Sequence, residues 1–193
     1  MTDANVQAAD GILREHGIRY VVVGGQAVAK IVATGTSDID VMVTTSDFEQ
    51  TVARMLKDPR LRMRGLREGV ALFAIESARG VGFDILDSAP FAGERSGQEF
   101  FDFLVEKESS ESDGIRFAST PLVWYTRLLA TRWKIYAEKI LVNILDGADP
   151  KLLDQVQEIA ERFGTRALLD ERVRYVRQEL AERGASGRDR FWR

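Results

Sequence analysis

Three aspartates and a glycine pair are the residues of this chain whose types and spacing suit catalysis. Asp38 and Asp40 stand two apart in the alternating run Asp38–Val43, and Asp84 sits within Gly82-Phe83-Asp84-Ile85-Leu86. In an extended strand side chains alternate with period two, so Asp38, Asp40 and Met42 share one face and Ile39, Val41 and Val43 the other. Two carboxylates held this close repel each other unless a cation lies between them. A hard divalent ion with oxygen ligands, Mg²⁺ or Mn²⁺, keeps both ionised. A third carboxylate from a neighbouring strand, Asp84, completes a two-metal site with ions about 3.5–4 Å apart, the arrangement that supports in-line phosphoryl displacement. Gly24-Gly25 lies between an apolar run and a helix-like segment. Glycines there let backbone N–H groups approach a phosphate closely, and a helix N-terminus adds positive potential.

Composition narrows the chemistry further. The chain has 193 residues, no Cys, and one His, at position 16. Disulfides, Cys-ligated zinc and a thiol nucleophile are therefore excluded, a single His makes no metal cage, and a Ser-His-Asp triad is not expected. A net charge of −3 provides no global attraction to nucleic acid. With 45% hydrophobic and 30% charged residues, the chain can bury a core, as one domain or one domain with a helical annex. The longest apolar runs, such as Tyr20–Val23 and Ile140–Val142, fall far short of the 20 or so residues a membrane span needs. The polar, acidic start is unlike a secretory signal, so a soluble cytoplasmic protein is expected.

The elements that must position these groups follow from periodicity. Val6, Ala9, Ile12 and Leu13 predict a helix over 3–16 stopped by Gly17. Ile18–Val23 predicts a buried strand, Gln26–Ala33 a helix, and Asp38–Val43 a strand. Ser46-Asp47-Phe48-Glu49 has the form of a capping box opening a helix to about Lys57. Val70–Ile75 and Val81–Leu86 read as a hairpin around Arg79-Gly80, and Phe100–Glu106 as a further strand. The acidic, Ser-rich Lys107–Gly114 is expected to be a boundary loop. Beyond it lie three helical segments: Leu122–Leu145 with Pro121 near its start, then Pro150–Phe163 and Thr165–Arg183. Strands first and helices afterwards predict an α/β (α+β) core over residues 1–110 with a helical annex over 115–193.

Tyr20-Val-Val-Val-Gly-Gly-Gln-Ala-Val-Ala29, followed by Thr36-Ser37-Asp38-Ile39-Asp40-Val41, resembles the signature of the nucleotidyltransferase superfamily. Its Gly-Gly-x-Ala form with Asp-Ile-Asp is most similar to the AbiEii-like branch, which includes toxins of bacterial toxin–antitoxin systems. The resemblance extends over roughly residues 10–90. It implies a polymerase-beta-type palm, a mixed sheet flanked by helices, and a helical annex. It also implies transfer of an NMP from an NTP such as ATP to a hydroxyl acceptor, with release of pyrophosphate. In that reading Gly24, Gly25 and Thr36 hold the nucleotide, Asp38 and Asp40 bind both Mg²⁺ (or Mn²⁺) ions, and Asp84 orients or deprotonates the acceptor. A helical lysine, Lys139 or else Lys134, contacts the phosphates. The acceptor could be RNA, protein or a small molecule, and a second copy or an antitoxin-type protein could be a partner. The chain departs from the pattern at Thr34, where relatives often carry Arg, and at Gly25, where many carry Ser. A catalytically silent module that binds a protein or nucleotide is the alternative, followed by a phosphotransferase or hydrolase using the same carboxylates.

Other features have plainer readings beside the functional ones. A dinucleotide-binding turn needs G-x-G-x-x-G with an acid at the end of the second strand; here the spacing is G-G-Q-A-V-A and the acids open that strand. Arg60, Arg62, Arg64 and Arg67 are either a phosphate or RNA track or a charged edge strand guarded against aggregation. Trp124, Tyr125, Trp133 and Tyr136 have helical spacings that suit a core or interface. Asp87 suits a turn or cap, and His16 a helix C-terminus.

Overall fold

A computed structural model of the chain describes residues 3–28, 38–76, 81–134 and 149–183. Seven strands form one mixed sheet: β1 (Val21–Val23), β2 (Ile39–Val43), β3 (Leu61–Arg67), β4 (Val70–Ile75), β5 (Val81–Asp87), β6 (Ser109–Ser112) and β7 (Ile115–Ala118). Their order is β3-β4-β5-β2-β1-β7-β6. The β2–β5 and β1–β7 pairs are parallel, and the other four are antiparallel. The described helices are α1 (Ala4–Glu15), α2 (Gly24–Val28), α3 (Thr45–Met55), α4 (Gly97–Glu106), α5 (Thr120–Leu129), α6 (Leu152–Arg162) and α7 (Arg166–Arg183). The fold is thus a mixed α/β sheet flanked by helices. The chain divides into two compact units, residues 1–123 and 124–193. Among the described residues no helix is long and apolar enough to cross a membrane.

In the first unit, one face of the sheet carries a large apolar cluster. Val22, Ile39, Val41, Val43, Ala71, Phe73, Ile75, Phe83, Ile85 and Ile115 are joined there by Val6, Ala9, Ile12 and Leu13 of α1 and by Val52 and Met55 of α3. Burying large aliphatic and aromatic side chains stabilises by about 1.5–3 kcal/mol each, so this face holds the central strands in register. Asp3 caps α1 by accepting from the Asn5 N–H, and Gly17, at φ +64°, ends it.

Three local expectations are corrected. Phe100–Glu106 is helical, within α4. Its aromatics suit a strand, but Ser96 and Glu99 make a reciprocal capping box, and Phe100, Phe101 and Leu104 are buried at helical spacing. Lys107–Gly114 is not a loop throughout: Ser109–Ser112 is β6, hairpinned to β7 through Asp113 (φ 53°) and Gly114 (φ 77°). Asp-Gly is the pair that a tight hairpin turn with two positive φ angles demands. The cap of α3 is Thr44, whose hydroxyl accepts from the Asp47 N–H, rather than Ser46. The predicted helices over 26–33 and 122–145 are described only as far as Val28 and Leu129, and the turn at 79–80 lies outside the described residues.

In the second unit α6 and α7 pack against each other, and Val156, Ile159, Ala160, Phe163, Leu169, Val173 and Val176 are all buried. Trp124 and Tyr125 are fully buried core residues; Tyr125 packs 6.4 Å from the Phe163 ring, and its hydroxyl lies 3.1 Å from Thr165 Oγ1. Arg172 donates to the carbonyls of Leu128 and Ala130 at the end of α5, and its guanidinium lies 5.2 Å over the Trp133 ring. These aromatics are structural, as their spacing suggested; Tyr136 lies outside the described residues.

Candidate active site

Strand register decides which side chains meet. Val23 pairs with Asp40, Asp40 with Asp84, Asp84 with Leu72, and Leu72 with Gly65. These five residues form one row across β1, β2, β5, β4 and β3, on the sheet face opposite the α1–α3 core. Adjacent strands lie about 5 Å apart, so Asp40 and Asp84 are immediate neighbours. One step along, Gly82 pairs with Ala74 and Ala74 with Arg62, and Asp38 lies against Gly82.

Two glycines make room for the carboxylates. A Cβ on Gly82 would stand 2.4 Å from Asp38 Oδ1, and one on Gly24 would stand 2.0 Å from Asp40 Oδ2. Gly24 also takes φ +66° where β1 turns into α2, a conformation that other residues adopt only with strain. Gly24 is thus required twice over, by the turn and by the aspartate. The structure therefore brings Gly24, Asp38, Asp40 and Asp84 together. Gly25 follows as a buried residue of α2.

The electrostatics of Asp84 mark it out. Its carboxyl is pushed up to about 6, first by burial and then by the charge of Asp38, while Arg64 and Arg67 act in the opposite direction. A carboxylate ionised at neutral pH yet basic enough to accept a proton is what general base catalysis requires. Among the described residues, no group of three or more His, Asp or Glu side chains is arranged to hold a metal ion. The donor set nonetheless fits a hard divalent cation: three carboxylates, with no softer ligand among them, over two positions that a Cβ would fill.

The remaining candidates separate cleanly. Thr36 and Lys139 lie outside the described residues. Lys134, in the second unit, stands 4.7 Å from the Tyr175 ring centroid and 5.9 Å from that of Trp133. Asp87 is a structural cap, accepting from Thr45 Oγ1 at 2.7 Å and from the Ala89 N–H at 2.9 Å. His16 lies 2.9 Å from Asp58, a buried carboxylate that also takes two hydrogen bonds from the Arg60 guanidinium. Gly82 is the residue that sequence reasoning passed over. The available signal was its place two residues before Asp84, on the same strand face.

Similarity to known proteins is remote. No family model matches the sequence, and no curated relative does. Among solved structures, the chain is similar to the antibiotic-resistance factor ANT(2'')-Ia at 15% identity and TM-score 0.45, over 94% of this chain and 91% of the other. It is also similar to an antigenic nucleotidyltransferase-like protein from Paracoccidioides brasiliensis at 12% identity and TM-score 0.44, over 94% and 88%.

Proposed function

We propose that the chain is a nucleotidyltransferase that moves an NMP from an NTP to a hydroxyl acceptor. The observation that carries this reading is the register pairing of Asp40 with Asp84, with Asp38 beside them and Gly24 packed against Asp40. In this proposal Asp38, Asp40 and Asp84 hold two Mg²⁺ or Mn²⁺ ions, within the core of residues 1–110. When bound, such ions neutralise charge on the non-bridging oxygens and on the departing pyrophosphate. The backbone N–H groups at Gly24-Gly25 face the phosphates. Asp84 accepts the proton of the acceptor hydroxyl. The hydroxyl oxygen then bonds to the α-phosphorus, and the bond to the β-phosphate breaks, its electron pair leaving with pyrophosphate.

The competing reading, a silent nucleotide- or protein-binding module, is favoured by one feature: among the described residues no three acids are arranged to hold a metal ion. A thermal-shift titration with each NTP, with and without Mg²⁺, decides between them when combined with a pyrophosphate-release assay. Ligand that binds only the native state raises its stability, by about 2.7 kcal/mol at a hundred times Kd. The proposal expects a Mg²⁺-dependent rise that is lost in Asp38→Asn/Asp40→Asn, together with pyrophosphate release. Nucleotide binding without pyrophosphate release across RNA, protein and small hydroxylated acceptors would establish the silent module instead. No rise with any nucleotide would remove both nucleotide readings.

A further inference from the structure

We propose that Arg64 and Arg67 form a cationic subsite that selects a phosphate-bearing acceptor for the reaction at Asp38, Asp40 and Asp84. This rests on the nucleotidyltransferase reading above and names the class of its acceptor.

The four arginines of the strip have different fates. Arg60 is committed to Asp58 and Glu15, at 2.6 and 2.8 Å, and Arg62 to Glu76 at 3.1 Å. These two are the structural half of the strip. Arg64 and Arg67 are exposed and make no ion pair within 4 Å among the described residues. Register places Arg67 on the face of the carboxylates, because Gly65, two residues before it, continues the Asp40–Asp84–Leu72 row. Arg64 occupies an irregularity between Met63 and Gly65, and a bulge of this kind re-aims a side chain. Both guanidinium groups act on the Asp84 carboxyl, so their field reaches the site.

The order of groups across the sheet assigns them to the acceptor. Gly24-Gly25 follows β1, Asp40 is on β2, Asp84 is on β5, and Arg64 and Arg67 are on β3. The intervening strand β4 presents Leu72 and Ala74 on that face, an apolar floor spanning two strand spacings, about 10 Å. The carboxylates therefore lie between two anion-favouring borders. Phosphoryl transfer places the attacking and leaving oxygens roughly in line. Pyrophosphate held on the Gly24 side leaves the arginine side to the attacking molecule. Guanidinium forks match phosphate oxygens in a bidentate manner, and an apolar floor suits the sugar carrying that phosphate.

The test measures anisotropy of a fluorescein-labelled, 5′-phosphorylated single-stranded RNA oligonucleotide, with ribose 5-phosphate and ribose as competitors. It is run on wild type, Arg64→Ala/Arg67→Ala, Arg64→Lys/Arg67→Lys and Arg62→Ala. The double alanine variant is expected to bind the RNA at least tenfold more weakly, with a salt slope shallower by about 1.4, the counterion release of two contacts. The lysine variant should restore the slope, and Arg62→Ala should bind as wild type. The Mg²⁺-dependent nucleotide thermal shift should persist in all of them. Competition by ribose 5-phosphate at concentrations where ribose is inert would identify a small sugar phosphate as sufficient, whereas binding of RNA alone would identify a polynucleotide. The proposal is overturned if neither phosphate-bearing probe binds wild type, or if the double alanine variant binds them equally well. It is also overturned if the nucleotide shift falls together with RNA binding, because the arginines would then grip the donor. Arginine-dependent phosphate binding with no nucleotide shift in wild type would sink the transfer reading alone.

Discussion

Replacing Gly82 by Ala should damage cation binding while leaving the fold almost untouched. The added Cβ would lie 2.4 Å from Asp38 Oδ1 and 2.8 Å from Asp38 Cγ. Restoring an ordinary van der Waals separation requires the carboxylate to retreat by about 1 Å. That retreat is cheap, because Asp38 is an exposed side chain rather than packed backbone. Gly82 is not among the residues with positive φ, so Ala is sterically allowed, and a strand gains about 0.5–1 kcal/mol from losing glycine's backbone freedom. The two effects nearly cancel, and the melting temperature should move by no more than about 2–4 °C. Cation affinity depends on where the ligand oxygen sits, and losing a group that orients a ligand costs about 10–100-fold. The assay is the Mg²⁺ dependence of the NTP-induced melting shift, which should move to about 10–100-fold higher Mg²⁺. Gly11→Ala is the control: its Cβ would meet nothing within 4 Å inside α1, so it should stabilise slightly without touching the Mg²⁺ curve. An unchanged Mg²⁺ curve in Gly82→Ala would refute the placement of Asp38 in the site. A large fall in melting temperature would show instead that Gly82 serves packing.

Other perturbations test the scaffold and the turn. Gly24→Ala must carry a side chain at φ +66° and displace Asp40, so it should lower stability by at least about 1–2 kcal/mol in thermal melts and abolish the nucleotide shift. Asp58→Asn removes the buried charge that Arg60 and His16 bind, with Arg60 keeping Glu15, and should cost about 1.5–3 kcal/mol by urea denaturation. Arg60 holds the Asp58 carboxyl well below the ordinary carboxylate range. Its contribution is therefore complete at neutral pH and is lost as pH falls below about 4, the unfolded value, so Asp58→Asn should flatten the acid limb of stability. Burial pushes the Tyr125 hydroxyl up to about 12, despite the Thr165 hydrogen bond that favours ionisation. Stability from keeping it neutral is complete below about pH 10 and is lost as pH rises toward 12; absorbance titration of Tyr125→Phe should lack that late step.

Much of the fold was legible because local patterns and tertiary burial agree. Val6, Ala9, Ile12 and Leu13 repeat at helical spacing and are all buried. Val70–Ile75 and Val81–Asp87 do pair as antiparallel neighbours. Reading failed where two local signals competed. In Gln98–Glu106 the aromatics suit either period, and the Ser96–Glu99 cap settles the matter in favour of helix. Ser109–Ser112 carries no apolar alternation, since it is an edge strand whose pairing to β7 comes from the Asp113-Gly114 turn. Its composition therefore resembles a loop.

The sequence by itself determined the chemistry available. Without Cys, and with one His, the sequence pointed to Asp38, Asp40 and Asp84 beside the Gly24-Gly25 turn. Period two put Asp38 and Asp40 on one strand face before any tertiary contact existed. Tertiary structure alone decided that Asp84 stands level with Asp40, because a register between strands over 40 residues apart depends on the packing of Ile39, Phe83 and their neighbours into one core. It also separated the four arginines: Asp58 is a local partner two residues from Arg60, but Glu15 and Glu76 arrive beside Arg60 and Arg62 only when α1 and the sheet assemble. Gly82 belongs to the same category: a missing Cβ has meaning only once the neighbouring strand brings a carboxylate into the space it leaves.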